Sequence, residues 1–225
     1  MLGNVERLVW GNRHLILEGL SVTLQVCLAA FLLGVVLGLT ACLVRLYMPV
    51  LRPLAIGYIE FCRATPIFVQ LLWVNYAWPE AFGFPTTVFQ AGIIALALQT
   101  SGYLAETFRA GIEGLASGQR EAALAVGMTE SQAMRRIVLP QAALTMAPSI
   151  VNQLVVVIKS STLVSVIAIP DLMYQSMRIV HQWFEPIEVL TCVALIYLAL
   201  IFAISATARR FAGHLRQRYG LGATG

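Results

Sequence analysis

Apolar residues come in long uninterrupted runs rather than with a period of two or of 3.6. Leu20 to Val44 carries no charged side chain, and neither does Val189 to Ala208. About 20 consecutive apolar residues make a helix long enough to cross the hydrocarbon of a bilayer. Three further stretches nearly meet this standard. The segment from Pro53 to Trp78 holds Glu60 and Arg63, and Pro66 must bend it. Val88 to Phe108 holds Glu106, and the stretch from Gln141 to Ile169 holds Lys159. Backbone groups in lipid must be satisfied within the segment, so these runs predict helices and an all-α integral membrane protein. The reading is a single membrane domain over 1–225, with five spans at about 20–44, 53–78, 88–108, 141–169 and 189–208. Gly34 and Gly38 give the first span a small-x-x-x-small face suited to close packing.

Composition agrees with this pattern. Of 225 residues, 59% are hydrophobic and 12% charged, against about 25% charged in soluble domains. Mean hydropathy is +0.79. The net charge of +4 sits at the ends of apolar runs, where basic residues orient a membrane chain rather than bind nucleic acid. Arg45 and Arg52 follow the first span, Arg120, Arg135 and Arg136 the third, and Arg209, Arg210, Arg216 and Arg218 the fifth. The positive-inside rule then predicts an N-terminus outside and a cytoplasmic C-terminus, with Arg7 and Arg13 counting against. Trp73, Trp78, Trp183 and Phe184 fall at the expected outer boundary. Cys27, Cys42, Cys62 and Cys192 form no C-x-x-C pair and read as packing residues. His14, His181 and His214 have no metal-ligand spacing. No phosphate-binding G-x-x-x-x-G-K-S/T and no nucleophile–base pair is present, so no catalytic residue and no ATP hydrolysis is expected on this chain.

The longest predicted cytoplasmic segment runs from Gly111 to Pro140. It reads as a helix with Glu121 in its first turn, a break at Gly127, and a second helix from Glu130 to Leu139 capped by Thr129. Pro140 is expected to start the fourth span. Glu121, Ala122, Ala123, Gly127, Ile137, Leu139 and Pro140 spell E-A-A-x3-G-x9-I-x-L-P over 117–140. This resembles the EAA loop of binding-protein-dependent ABC importer permeases. Gly19-Leu20-x-Val22-Thr23-Leu24, Arg63-Ala64-Thr65-Pro66, Tyr103-Leu104-Ala105-Glu106 with Arg109 and Gly111, and Lys159-Ser160-Ser161-Thr162-Leu163 resemble motifs of the polar amino-acid branch.

The resemblance implies a type I ABC importer permease in the bacterial inner membrane, with the EAA elbow as a coupling helix seated in a cytoplasmic ATPase. It also implies a second permease subunit, identical or related, an extracytoplasmic solute-binding protein, and an amino-acid substrate. The alternative solutes are methionine, an osmolyte or an opine. ATP and magnesium would belong to the partner ATPase, with no cofactor on this chain. Ionisable residues within spans are functional candidates by default. Asn152, Gln153, Val156, Lys159 and Ser160 fall on one face of the fourth span. Lys159 would meet a substrate carboxylate, form a structural pair with an acid such as Glu106, or simply snorkel. Arg63, with Gln70 on the same broad face, and Glu106 complete the expected substrate path. Glu60 with Arg63, and Glu106 with Arg109, have the i, i+3 spacing of ion pairs.

Overall fold

The structure, a computed structural model, describes residues 11–114 and 117–218; Arg7 lies outside them. Among the described residues every regular element is helical. They are α1 (Arg13–Tyr47), α2 (Arg52–Ala64), α3 (Ile67–Leu72), α4 (Trp78–Phe82), α5 (Val88–Glu113), α6 (Ser117–Ala125), α7 (Glu130–Ala133), α8 (Leu139–Ser160), α9 (Leu172–Trp183) and α10 (Pro186–Arg218).

Four helices are long and apolar enough to cross a membrane: Arg13–Tyr47, Val88–Glu113, Glu130–Ile167 and Pro186–Ala208. The expected span at 53–78 is interrupted. Pro66 has no N–H to donate, and the residue before a proline is driven out of helical geometry. Thr65 accordingly stands at φ −77° and ψ 125°, with its hydroxyl donating to the Phe61 carbonyl 2.8 Å away. The chain resumes as α3, widens through a π turn at Trp73–Ala77 and continues as α4. Edge-on contacts tie Phe61 to Trp73, Trp73 to Trp78 and Trp78 to Phe82, with centroids 5.5–5.8 Å apart.

The core forms because α1 lies along α5. At Gly34 a Cβ would stand 2.7 Å from the Thr100 methyl, and at Gly38 2.8 Å from the Ser101 carbonyl oxygen. Only glycine admits that approach, so the small-residue face on the first span is a packing seam. Thr100 and Ser101 are buried there, their hydroxyls donating to Leu96 and Leu98 carbonyls one turn back. Cys27, Cys42 and Cys62 are buried packing residues, and Cys192 is partly buried.

Between the fourth and fifth predicted spans lies a further helix, α9. Asp171 caps it, its carboxylate accepting the Tyr174 N–H at 2.9 Å. The Leu172 N–H donates to Thr23 Oγ1 at 3.0 Å, and a Cβ on Gly19 would lie 2.8 Å from Leu172 Cα. Gly19 and Thr23, one helical turn apart, together dock α9 on α1.

Candidate functional site

The elbow between α5 and α8 is built from local rules. Helix α6 begins at Ser117, a turn earlier than expected, so Glu121 lies mid-helix rather than in the first turn. It ends in a Schellman arrangement: the Met128 N–H donates to the Ala123 carbonyl at 3.1 Å and the Gly127 N–H to the Leu124 carbonyl at 3.0 Å. Gly127 takes φ +85°, the left-handed conformation that glycine adopts without cost, and has open space around its Cα. Next comes a capping box. The Gln132 N–H donates to Thr129 Oγ1, and the Thr129 N–H donates to Gln132 Oε1.

No break follows at Pro140, which corrects the expectation of a separate fourth span. Helix α7 runs into α8 through a π turn at Met134–Val138, where the Leu139 N–H bonds to the Met134 carbonyl. Pro140 sits at the start of α8, and the wide turn before it absorbs the donor it lacks. Glu130–Ile167 is therefore one helical body from elbow to membrane. Ala123 and Val138 anchor the elbow inward. Glu121, Ala122, Gly127 and Leu139 are exposed, Ile137 and Pro140 partly so, and Val126 is 78% exposed. A cleft of about 1050 Å³ separates the elbow from the ends of α1 and α5, with Glu113, Glu121, Glu130 and Arg135 in its walls.

Above the elbow lies an ion-pair chain that sequence spacing showed only in part. Glu106 pairs with Arg109 at 2.8 Å as expected, and Arg109 also reaches Glu113. The other Glu106 oxygen is taken by Arg45 from α1, a tertiary contact that no local spacing reveals. With both oxygens engaged, Glu106 is not the partner of Lys159, and the structural-pair alternative fails for that acid. Arg63 meets Glu60 at 3.3 Å and lies 5.6 Å over the Tyr103 ring.

The fourth-span face separates into two directions. Asn152 and Lys159 are exposed and Ser160 partly so, while Gln153 turns into the protein and is 7% exposed. Gln153 therefore leaves the predicted face. Thr145 and Ser149 join it instead: Thr145, Ser149, Asn152, Val156 and Lys159 follow the 4-3-4-3 spacing of one helical stripe. Lys159 makes none of the ion pairs found among the described residues. Gln70 also departs from expectation. The break at Thr65–Pro66 puts it on a different helix from Arg63. It is completely buried, and neither amide atom has a hydrogen-bond partner among the described residues.

Just beyond Lys159 the helix tightens to a 3-10 turn over Ser161–Ile167. Ser161, Thr162 and Ser165 hydroxyls donate to carbonyls three residues back, at 2.8 Å each. The hydroxyl run thus bonds to carbonyls of the tightened backbone. Ala168 ends the turn in the left-handed region at φ 62°.

Residues 30–220 match the model of the "Binding-protein-dependent transport system inner membrane component" family. The chain belongs to that family. This family member is a multi-pass inner-membrane component of an ABC transporter and not itself an enzyme. It is 34% identical over 195 residues to the arginine transport system permease protein ArtQ of Bacillus subtilis (strain 168), covering 84% of this chain and 87% of the relative. Its identity to the glutamine transport system permease protein GlnP of Escherichia coli (strain K12) is 31% over 204 residues, covering 90% and 93%. Among solved structures, that of an amino acid ABC transporter with histidines superposes with a TM-score of 0.83 at 35% identity, covering 90% of this chain and 94% of that one. The MetNI methionine transporter shares the fold at 19% identity and a TM-score of 0.76.

Proposed function

We propose that this chain is a permease subunit of an ATP-driven importer for polar amino acids. The observation that carries the reading is the continuity of the exposed elbow with the polar stripe. A partner that pushes Glu121 and Ala122 acts through the Gly127 turn on Glu130–Ile167, and with it on Asn152, Lys159 and Ser160. That is a two-state, rigid-body form of coupling. The partner is a cytoplasmic ATPase that carries ATP and magnesium. Val126, the small side chain of Ala122 and the bare backbone of Gly127 offer it a close-fitting surface, with Ile137, Leu139 and Pro140 fixing the return into the membrane.

The N-terminus lies outside and the C-terminus inside, as the arginine distribution requires. Helices α2 to α4 together make the fifth crossing. The stripe on α8 is polar and exposed in the single chain, so a second permease subunit, identical or related, closes the path against it. An extracytoplasmic binding protein delivers the solute. The family membership and the named substrates of the relatives, arginine and glutamine, support an amino-acid cargo.

Lys159 is the group that meets the substrate carboxylate. A cation without an acidic partner in low dielectric attracts anions and repels cations. Neutral or acidic amino acids are therefore favoured over arginine, lysine or ornithine. The test is the complete importer in proteoliposomes, with its binding protein, scored for ATP hydrolysis and uptake across amino acids. Polar amino acids should stimulate both. No stimulation by any amino acid overturns the cargo. Best stimulation by arginine or lysine overturns the charge preference alone.

A further inference from the structure

A cavity of about 430 Å³ opens between α2, α5 and α8, lined by Arg63, Tyr103, Glu106, Thr107, Thr145 and Ser149 among others. Ser149 is ten residues before Lys159, so the two stand about 15 Å apart along α8. The cavity is therefore separate from the Lys159 end of the stripe and lies toward the elbow.

Its chemistry is specific. Both Glu106 oxygens are taken by Arg45 and Arg109, so that acid has no charge to spare. Arg63 differs. Its Nη1 makes only the 3.3 Å contact to Glu60, whose side chain is 59% exposed. Its Nε is buried and has no hydrogen-bond partner among the described residues. That N–H is sealed from the cavity, so the edge that can grip a carboxylate is the guanidinium's Nη pair, on a side chain that is 36% exposed. Two other lining residues accept rather than donate. Thr107 and Thr145 give their hydroxyl hydrogens to the Tyr103 and Gln141 carbonyls, each at 3.0 Å. Their oxygen lone pairs are left for a cation. Ser149, an exposed residue, lines the same cavity.

A donor edge and two acceptor oxygens lining one cavity complement an α-amino acid head group, which carries both a carboxylate and an ammonium. We infer that the cavity at Arg63 is a second, inner amino-acid subsite, occupied after the Lys159 end and before release to the elbow side. This rests on the importer reading above. Arg63 binds the carboxylate, and Thr107 and Thr145 accept from the ammonium. The shared chemistry of a bound oxyanion admits a lipid phosphate as the other source, which the experiment separates.

The experiment is modification of Arg63 by phenylglyoxal, followed by mass spectrometry, in the assembled permease–ATPase complex held in phosphatidylcholine nanodiscs. L-Glutamine and L-arginine are the protecting probes, each compared with its α-carboxamide. At ten times the dissociation constant, an occupied site slows modification about tenfold. Protection by either amino acid, and by neither carboxamide, is the expected result. Ser149→Met, which fills the cavity from an exposed position, should abolish protection and leave Arg63 reactive. Absence of protection, equal protection by the carboxamides, or protection surviving in Ser149→Met overturns the inner subsite. Protection by added phosphatidylglycerol without amino acid assigns the site to lipid and also overturns it. The same complex, reconstituted with its binding protein, reports uptake separately. An importer that transports but shows no protection loses only the subsite, whereas failed transport with intact protection sinks only the importer reading.

Discussion

Asp171 and Gly127 show how single positions carry both structure and testable chemistry. Burial pushes the Asp171 carboxyl up to about 6, against the backbone N–H groups of Tyr174 and Met173 that favour its charged form. Cys27 from α1 and Tyr197 from α10 lie near it without supplying a compensating cation. Since the folded pKa lies above the unfolded one, the native state binds this proton more tightly. Its contribution to stability is full below the unfolded value and disappears as pH rises through about 6. Thermal unfolding in detergent should therefore show Tm falling by several degrees, roughly 2–3 kcal/mol at this chain length, from pH 4 to pH 7.5. Asp171→Asn keeps the capping oxygen and should flatten that slope; an unchanged slope would sink the assignment to Asp171. Gly127 has room for a side chain but not the backbone for one, because φ +85° costs other residues about 1–2 kcal/mol. Gly127→Val should insert and fold, yet lose association with its ATPase or lose uptake by about tenfold, the scale that ~1.4 kcal/mol sets. Normal binding-protein-stimulated uptake by this variant would refute the coupling role.

Between elements, the decisive features are close approach and continuity. Gly38 stands where a Cβ would press on the Ser101 carbonyl oxygen, with Leu104 Cβ and Ala105 N at 3.1 and 3.2 Å. Gly38→Leu has to force α1 off α5, and overpacking of a tight seam typically costs about 1–3 kcal/mol or more. Gly57 on α2 has nothing within 4 Å, so Gly57→Ala should gain about 1 kcal/mol of helix propensity. The folded yields after detergent extraction should diverge in those directions, and equal yields would contradict the seam. The π turn at Met134–Val138 belongs to this scale as well. It lets a proline enter at the head of α8 within a continuous helix, which carries a second proline, Pro148, before Lys159.

For the whole molecule, the consequence is a chain that presents different surfaces to two compartments. Helix α9 ends in Trp183 and Phe184, and Phe184 is 85% exposed, at one end of the bundle. Helix α6 lies in the connection between α5 and α8. Single cysteines introduced as Ser117→Cys and Gln182→Cys, in a background without native cysteines, should react with an impermeant maleimide from opposite sides of the membrane. Reaction of both from one side would require an even number of crossings between them and would remove the five-span topology.

Much of this was legible in the chain itself. Long apolar runs dictate spanning helices because lipid offers backbone groups no partners. Gly127 and Thr129 dictate the elbow, since left-handed backbone and capping oxygens are local needs met by local residues. The i, i+3 pairs of Glu60 with Arg63 and Glu106 with Arg109 followed from helical spacing alone. What spacing could not decide was direction and partnership across elements. Whether Gln153 faces the path or the core depends on which side α10 and α5 cover. Whether Glu106 was free for Lys159 depended on Arg45, sixty-one residues earlier and on another helix. The split of 53–78, and with it the separation of Gln70 from Arg63, needed the course of the chain after Pro66. Local rules fix elements, and only packing fixes which of their faces meet.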